Sequence, residues 1–166
     1  MGIYTEEKGK YQIDLSKAVW STDELTKLLN GAEITQQMSS VDWIGETDDK
    51  ILLIEYKNYE EFKEFGKEIV PDEFVTKMVK KYYGTALYAL SLQKNKPLYY
   101  IGIIESSMMT NSKAKGILET KIMNKLPFKV QEKSSIPASM IADFKILTIS
   151  EWNGEHPDFP LTRCVG

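Results

Sequence analysis

The stretch 41-VDWIGETDDKILLIEYKN-58 decides how this chain reads. Its apolar run, Ile51 to Ile54, leads straight into Glu55 and Lys57, and a second carboxylate, Asp42, stands across the polar turn 46-ETDDK-50. The β-branched content and short, bounded length of 51-ILLIEYKN-58 predict a strand. Side chains alternate faces along a strand, so Glu55 and Lys57 point the same way, about 7 Å apart. The turn folds the segment bearing Asp42 back alongside, with Trp43 facing the opposite side, into the core. Two carboxylates and a lysine then converge at one end of a sheet. Burying one carboxylate alone is costly. Two that share a hard divalent cation, Mg²⁺ or Mn²⁺, resolve that cost. A cation held by Asp42 and Glu55 would polarise a phosphodiester and lower the pKa of a bound water. The Tyr56 carbonyl, between the two polar side chains, is a candidate third ligand. Lys57 is placed to orient the water or to hold charge developing on phosphorus.

Outward from this stretch, 21-STDELTKLLNG-31 carries helix signals: Ser21 or Thr22 as cap, Asp23 and Glu24 at the positive end of the dipole, Gly31 as stop. Residues 33–45 read as one or two strands broken near Ser39-Ser40. Glu60 to Lys67 read as a short helix, and Pro71 opens a longer one. In that helix Val75, Val79, Tyr82, Tyr83, Ala86 and Leu90 form an apolar stripe, with Lys77, Lys81 and Tyr88 on the opposite side. A strand follows at 98-LYYIGIIES-106, a helix within 112-SKAKGILETKIMNKL-126, and a strand at 144-FKILTIS-150. The tail EHPDFPLTRCVG reads as irregular. The strand–helix–strand step implies a crossover and a mixed α/β sheet with helices on both faces.

The pattern Asp42, twelve residues, Glu55-Tyr56-Lys57 resembles the PD-(D/E)XK nuclease superfamily, which includes many restriction endonucleases and Holliday-junction resolvases. The resemblance implies a restriction-endonuclease-like α-β-β-β-α-β core over about residues 20–106, within one domain spanning 1–166, with residues 107–166 as C-terminal additions. It implies that Asp42 and Glu55 bind Mg²⁺ or Mn²⁺ and that Lys57 assists the water. The family often carries a further acid on the first helix, and Glu24 is the candidate here. Some branches place a Gln or Tyr on the helix after the motif, where this chain has Lys77, Lys81 or Tyr88. Val41 stands where the family has Pro. DNA ranks ahead of RNA as substrate, and a homodimer is expected because two strands must be cut.

Each residue also has a plainer reading. Acid-x-Lys occurs at Glu6, Asp48, Glu55, Glu61, Glu119 and Asp143; only Glu55 combines a preceding aliphatic strand with an upstream Asp on a neighbouring one. The plain alternative there is a strand-end salt bridge between Glu55 and Lys57. Glu24 sits in a first helical turn, where acids are favoured anyway. Lys77, Lys80 and Lys81 are either a solvated helix face or a phosphate-binding patch. Residues 71–96 hold five lysines against two acids, whereas the whole chain carries a net charge of −3. That balance argues against a protein that simply coats nucleic acid, without excluding an enzyme acting on it. It also keeps open a non-catalytic interaction module on the same core. His156 is the single histidine and lacks zinc-ligand spacing; Cys164 is the single cysteine, so no internal disulfide exists. No apolar run suits a membrane span, and MGIYTEEKGK lacks a signal-peptide core, so a cytoplasmic location is expected.

Overall fold

In the computed structural model, residues 2–6, 8–59, 72–133, 135 and 139–164 are described. The chain order is β1 (Ile3–Thr5), β2 (Tyr11–Asp14), β3 (Trp20–Thr22), α1 (Glu24–Gly31), β4 (Trp43–Glu46), β5 (Ile51–Asn58), α2 (Asp72–Ser91), β6 (Leu98–Glu105), α3 (Ser112–Met123), α4 (Phe128–Lys133), β7 (Asp143–Leu147), α5 (Ile149–Glu155) and β8 (Leu161–Arg163). The main sheet is five-stranded and mixed, in the order β3-β4-β5-β6-β7. The β3–β4 and β4–β5 pairs are antiparallel; β5–β6 and β6–β7 are parallel. A smaller antiparallel sheet has the order β1-β2-β8.

The run Ile51 to Ile54 is continuously apolar because β5 is covered on both faces, as central strands joined by crossovers are. Ile51 and Leu53 pack with Val75, Met78 and Tyr82 of α2. Leu52, Ile54 and Tyr56 pack on the other face with Trp43, Trp152 of α5 and Ile13 of β2. The residues after 106 are therefore structural: β7 extends the main sheet, and α3 contributes Leu118 and Ile122 to the α2-side core.

Several local expectations are corrected. Residues 33–42 are not strand; their Gln-Gln and Ser-Ser pairs offer no apolar face to bury, and Lys80 Nζ donates to the carbonyls of Thr35 and Gln36. Ser21 and Thr22 belong to β3, so a strand precedes α1 and, among the described residues, two strands follow it before α2. The Thr22 hydroxyl nevertheless accepts the Glu24 N–H at 3.1 Å. On α2 the apolar stripe runs through Phe74, Val75, Met78, Tyr82, Ala86 and Ala89, leaving Tyr83 and Leu90 exposed. The strand expected over 144–150 is β7 and stops at Leu147, because Thr148 and Glu151 form a capping box that opens α5. The tail is not irregular throughout, since β8 pairs with β2. The helix expected over 60–67, and Pro71, lie outside the described residues. Among the described residues no helix is long and apolar enough to cross a membrane.

Candidate active site

The antiparallel register pairs Trp43 with Ile54 and Ile44 with Leu53. One step further it sets Asp42 opposite Glu55, where facing Cβ atoms lie about 5 Å apart. Asp42 shares the face of Ile44, and Glu55 that of Leu53, so both acids lie on the α2 side of the sheet. Asp42 Oδ2 accepts the Tyr56 backbone N–H at 2.8 Å, which ties the residue before β4 to β5. In a strand a residue's N–H and C=O turn to the same side, so the Tyr56 carbonyl faces that edge too.

Glu55 is wholly buried. Lys81, reaching down from α2, places Nζ 2.8 Å from Glu55 Oε2 and 3.9 Å from Asp42 Oδ1. The expectation that Lys81 lies on the outer side of α2 is thus overturned: with Tyr82 and Thr85 buried beside it, its stem runs toward the sheet and only its tip meets the acids. Lys57 Nζ stands 2.9 Å from Glu55 Oε1, yet the angles do not make a hydrogen bond, and Oε1 is buried without one. Burial, then repulsion from Asp42, pushes the Glu55 carboxyl up to about 7 against the pull of Lys57 and Lys81. Burial works to lower Lys57, but the Glu55 and Asp42 charges outweigh it and hold the ammonium above its usual range. Beneath the site, burial and the same two carboxylates raise the Tyr100 phenol well above its ordinary value, and its hydroxyl donates to the Met78 carbonyl at 3.0 Å.

A cavity of about 170 Å³ opens onto Asp42 and Lys81, with Thr26, Asn30, Ser39 and Ser40 on its walls. The structure therefore brings Asp42, Glu55, Lys57 and Lys81 together. It does not bring Glu24 to them. Glu24 lines a separate cavity with Trp20, Tyr88 and Lys94, and among the described residues no group of three or more Asp, Glu, His or Cys side chains is set to hold a metal ion. What the site offers a hard cation is two carboxylates and the Tyr56 carbonyl edge. Glu55 Oε1, which meets the Lys57 ammonium but accepts no hydrogen bond, and Asp42 Oδ1, with only a long contact to Lys81, fit that use. Lys77 pairs with Glu73 at 2.7 Å, and Lys80 is engaged with the carbonyls of the 33–42 loop.

Two supporting residues went unread in the sequence. The buried Thr85 hydroxyl accepts the Val41 N–H at 3.0 Å. Gly84 lets the loop touch α2: a Cβ there would lie 2.0 Å from the Ser39 carbonyl oxygen. The small pair Gly84-Thr85 within a bulky helical stripe was the available signal of a close approach. Comparison of the chain with protein-family models, with curated proteins and with solved structures finds no match.

Proposed function

We propose that the protein is a Mg²⁺- or Mn²⁺-dependent nuclease that hydrolyses phosphodiester bonds, DNA ahead of RNA, on a restriction-endonuclease-like core. The observation that carries this reading is Asp42 opposite a buried Glu55 that has a lysine ammonium within 2.9 Å of each carboxylate oxygen, one of the two oxygens accepting no hydrogen bond. The run β4-β5-α2-β6, an antiparallel pair followed by a crossover to a parallel strand, supports it as the part of that core bearing the motif. A bound divalent ion supplies Lewis-acid polarisation of the phosphodiester and a more acidic water. Asp42 and Glu55 are the residues that would hold it, with the Tyr56 carbonyl. Lys57, the most exposed member of the set at 34%, is the group whose ammonium can meet charge developing on a phosphate. Lys81 neutralises the two acids and orients Glu55. A homodimer and a cytoplasmic location belong to the same proposal.

The test is plasmid and single-stranded DNA incubated with Mn²⁺, with and without chelator. Cleavage that chelator stops, and that Asp42→Asn, Glu55→Gln and Lys57→Ala each abolish, supports the reading. Absence of cleavage across DNA and RNA substrates refutes it. A second reading, an interaction module without catalysis, is favoured by one observation: Lys77, Lys80 and Lys81 are all engaged within the protein and form no free phosphate-binding row. Unchanged binding to a protein partner after Glu55→Gln, with no cleavage by the wild type, would select it.

A further inference from the structure

The cavity that Glu24 lines has walls that the proposed hydrolysis does not use. It encloses about 520 Å³, within the range of small-molecule sites, and the rings of Tyr4, Trp20 and Tyr88 line it together with Asp23, Glu24 and Lys94. The Tyr4 hydroxyl is held to Ser21 Oγ at 3.0 Å. Lys94 Nζ lies 4.6 Å from the Trp20 ring centroid and is ion-paired to Glu46. Asp23 is paired to Lys27 at 3.1 Å, whereas the exposed Glu24 has no ion-pair partner among the described residues.

We propose that this cavity takes an unstacked nucleobase bearing an exocyclic amino group, from the same strand whose phosphate meets the Asp42–Glu55 pair. The inference deepens the nuclease reading and rests on it. Three features select this ligand. Aromatic walls suit a flat π-system, and stacking on such rings tolerates any base. Lys94 already covers the Trp20 ring as a cation, so a second cation would be repelled and a neutral ring is favoured. The carboxylates of Asp23 and Glu24 are acceptors only; they repel phosphate and accept amino hydrogens. The spacing also fits. Tyr88 follows Lys81 by seven residues on α2, about 10 Å along the helix, a span that one nucleic-acid strand covers in a few nucleotides.

Trp43 and Trp152 are buried at 1% and 0% exposure, so of the three tryptophans Trp20 alone can report on a ligand by fluorescence. The experiment titrates cytidine, adenosine, guanosine and uridine into the full chain with chelator present. Saturable quenching by at least one amino-bearing nucleoside is expected, with uridine about tenfold weaker. Tyr88→Ala should weaken the binding about tenfold, the loss of one stacking wall. Glu24→Gln should narrow the gap between the amino-bearing nucleosides and uridine. No saturable quenching by any nucleoside, equal quenching by uridine, or saturation by tetramethylammonium alone overturns the proposal. The same preparations are assayed for Mn²⁺-dependent cleavage: cleavage without nucleoside binding sinks this inference alone, and nucleoside binding without cleavage sinks the nuclease reading while leaving the cavity's ligand in place.

Discussion

Glu55→Gln removes the one fully buried ionisable side chain among the described Asp, Glu, Lys and Arg residues, and its effect on stability has a sign that depends on pH. The Glu55 carboxyl rises from 4.5 to about 7 on folding. Below pH 4.5 it is protonated in both states and the substitution is close to neutral. Between 4.5 and 7 the folded chain binds the proton more tightly than the unfolded one, so stability falls as pH rises. Above 7 the whole difference is present: at 1.36 kcal/mol per pH unit it amounts to about 3 kcal/mol lost by the wild type. Glutamine does not titrate and avoids that loss, although at high pH it leaves Lys57 and Lys81 without their counter-charge, which trims the gain. Urea unfolding of both proteins at pH 4.5, 6 and 8 reads the difference directly. The two should coincide at the lowest pH, and the variant should be the more stable by 1–3 kcal/mol at pH 8. Adding Mn²⁺ at pH 8 should raise the wild type relative to the variant by about 2.7 kcal/mol at a hundred times the ion's Kd, enough to cancel or reverse most of that lead. Parallel stability curves across the pH range would refute the burial argument. A Mn²⁺ response equal in both proteins would refute the role of Glu55 as a ligand.

Other perturbations probe the supports of the site. Gly84→Ala drives a Cβ into the Ser39 carbonyl, 2.0 Å away; it should cost about 1–3 kcal/mol, lower Tm and reduce cleavage by shifting the segment that leads into Asp42, and a wild-type Tm would show the contact to be unimportant. Lys81→Met strips one ammonium from Glu55 and Asp42. It should destabilise the metal-free chain by roughly 1–3 kcal/mol at pH 8, less at pH 5 where Glu55 takes up a proton, and should strengthen Mn²⁺ binding measured by calorimetry. Glu46 is held below its usual range by hydrogen bonds from Lys94 and Lys96. Its contribution is therefore present above about pH 4.5 and lost as pH falls through the lowered value, so Glu46→Gln should flatten the acid limb of the stability profile, as acid titration followed by circular dichroism would show.

Much of the site was legible because it depends on local rules. The period of two in 51-ILLIEYKN-58 placed Glu55 and Lys57 on one face, and the polar turn 46-ETDDK-50 brought Asp42 back beside them; strand geometry alone dictates both. The outer strands of the small sheet were not legible. Ile3–Thr5 and Leu161–Arg163 have three residues each, too few for a periodicity, and β8 exists only because β2 lies alongside it. The loop over 33–42 misled because its backbone groups are satisfied by side chains distant in sequence, the Thr35 and Gln36 carbonyls by Lys80 and the Val41 N–H by Thr85.

What the chain determines by itself is the alternation on β5, the crossover helix and the chemical identity of the acids and amines. What only the tertiary structure decided is the rotation of α2. Seen as an isolated helix, Lys81 sits a quarter turn from the apolar stripe and faces water as readily as protein. Packed over the sheet, with Gly84 against the 33–42 loop and Met78, Tyr82 and Ala86 in the core, the helix has one orientation left, and in it the Lys81 ammonium reaches Glu55. Glu24 parts from the other acids in the tertiary structure as well: at the start of α1 it lines the aromatic cavity with Tyr88, whereas Asp42 opens with Lys81 onto the other cavity and Lys81 bridges it to Glu55.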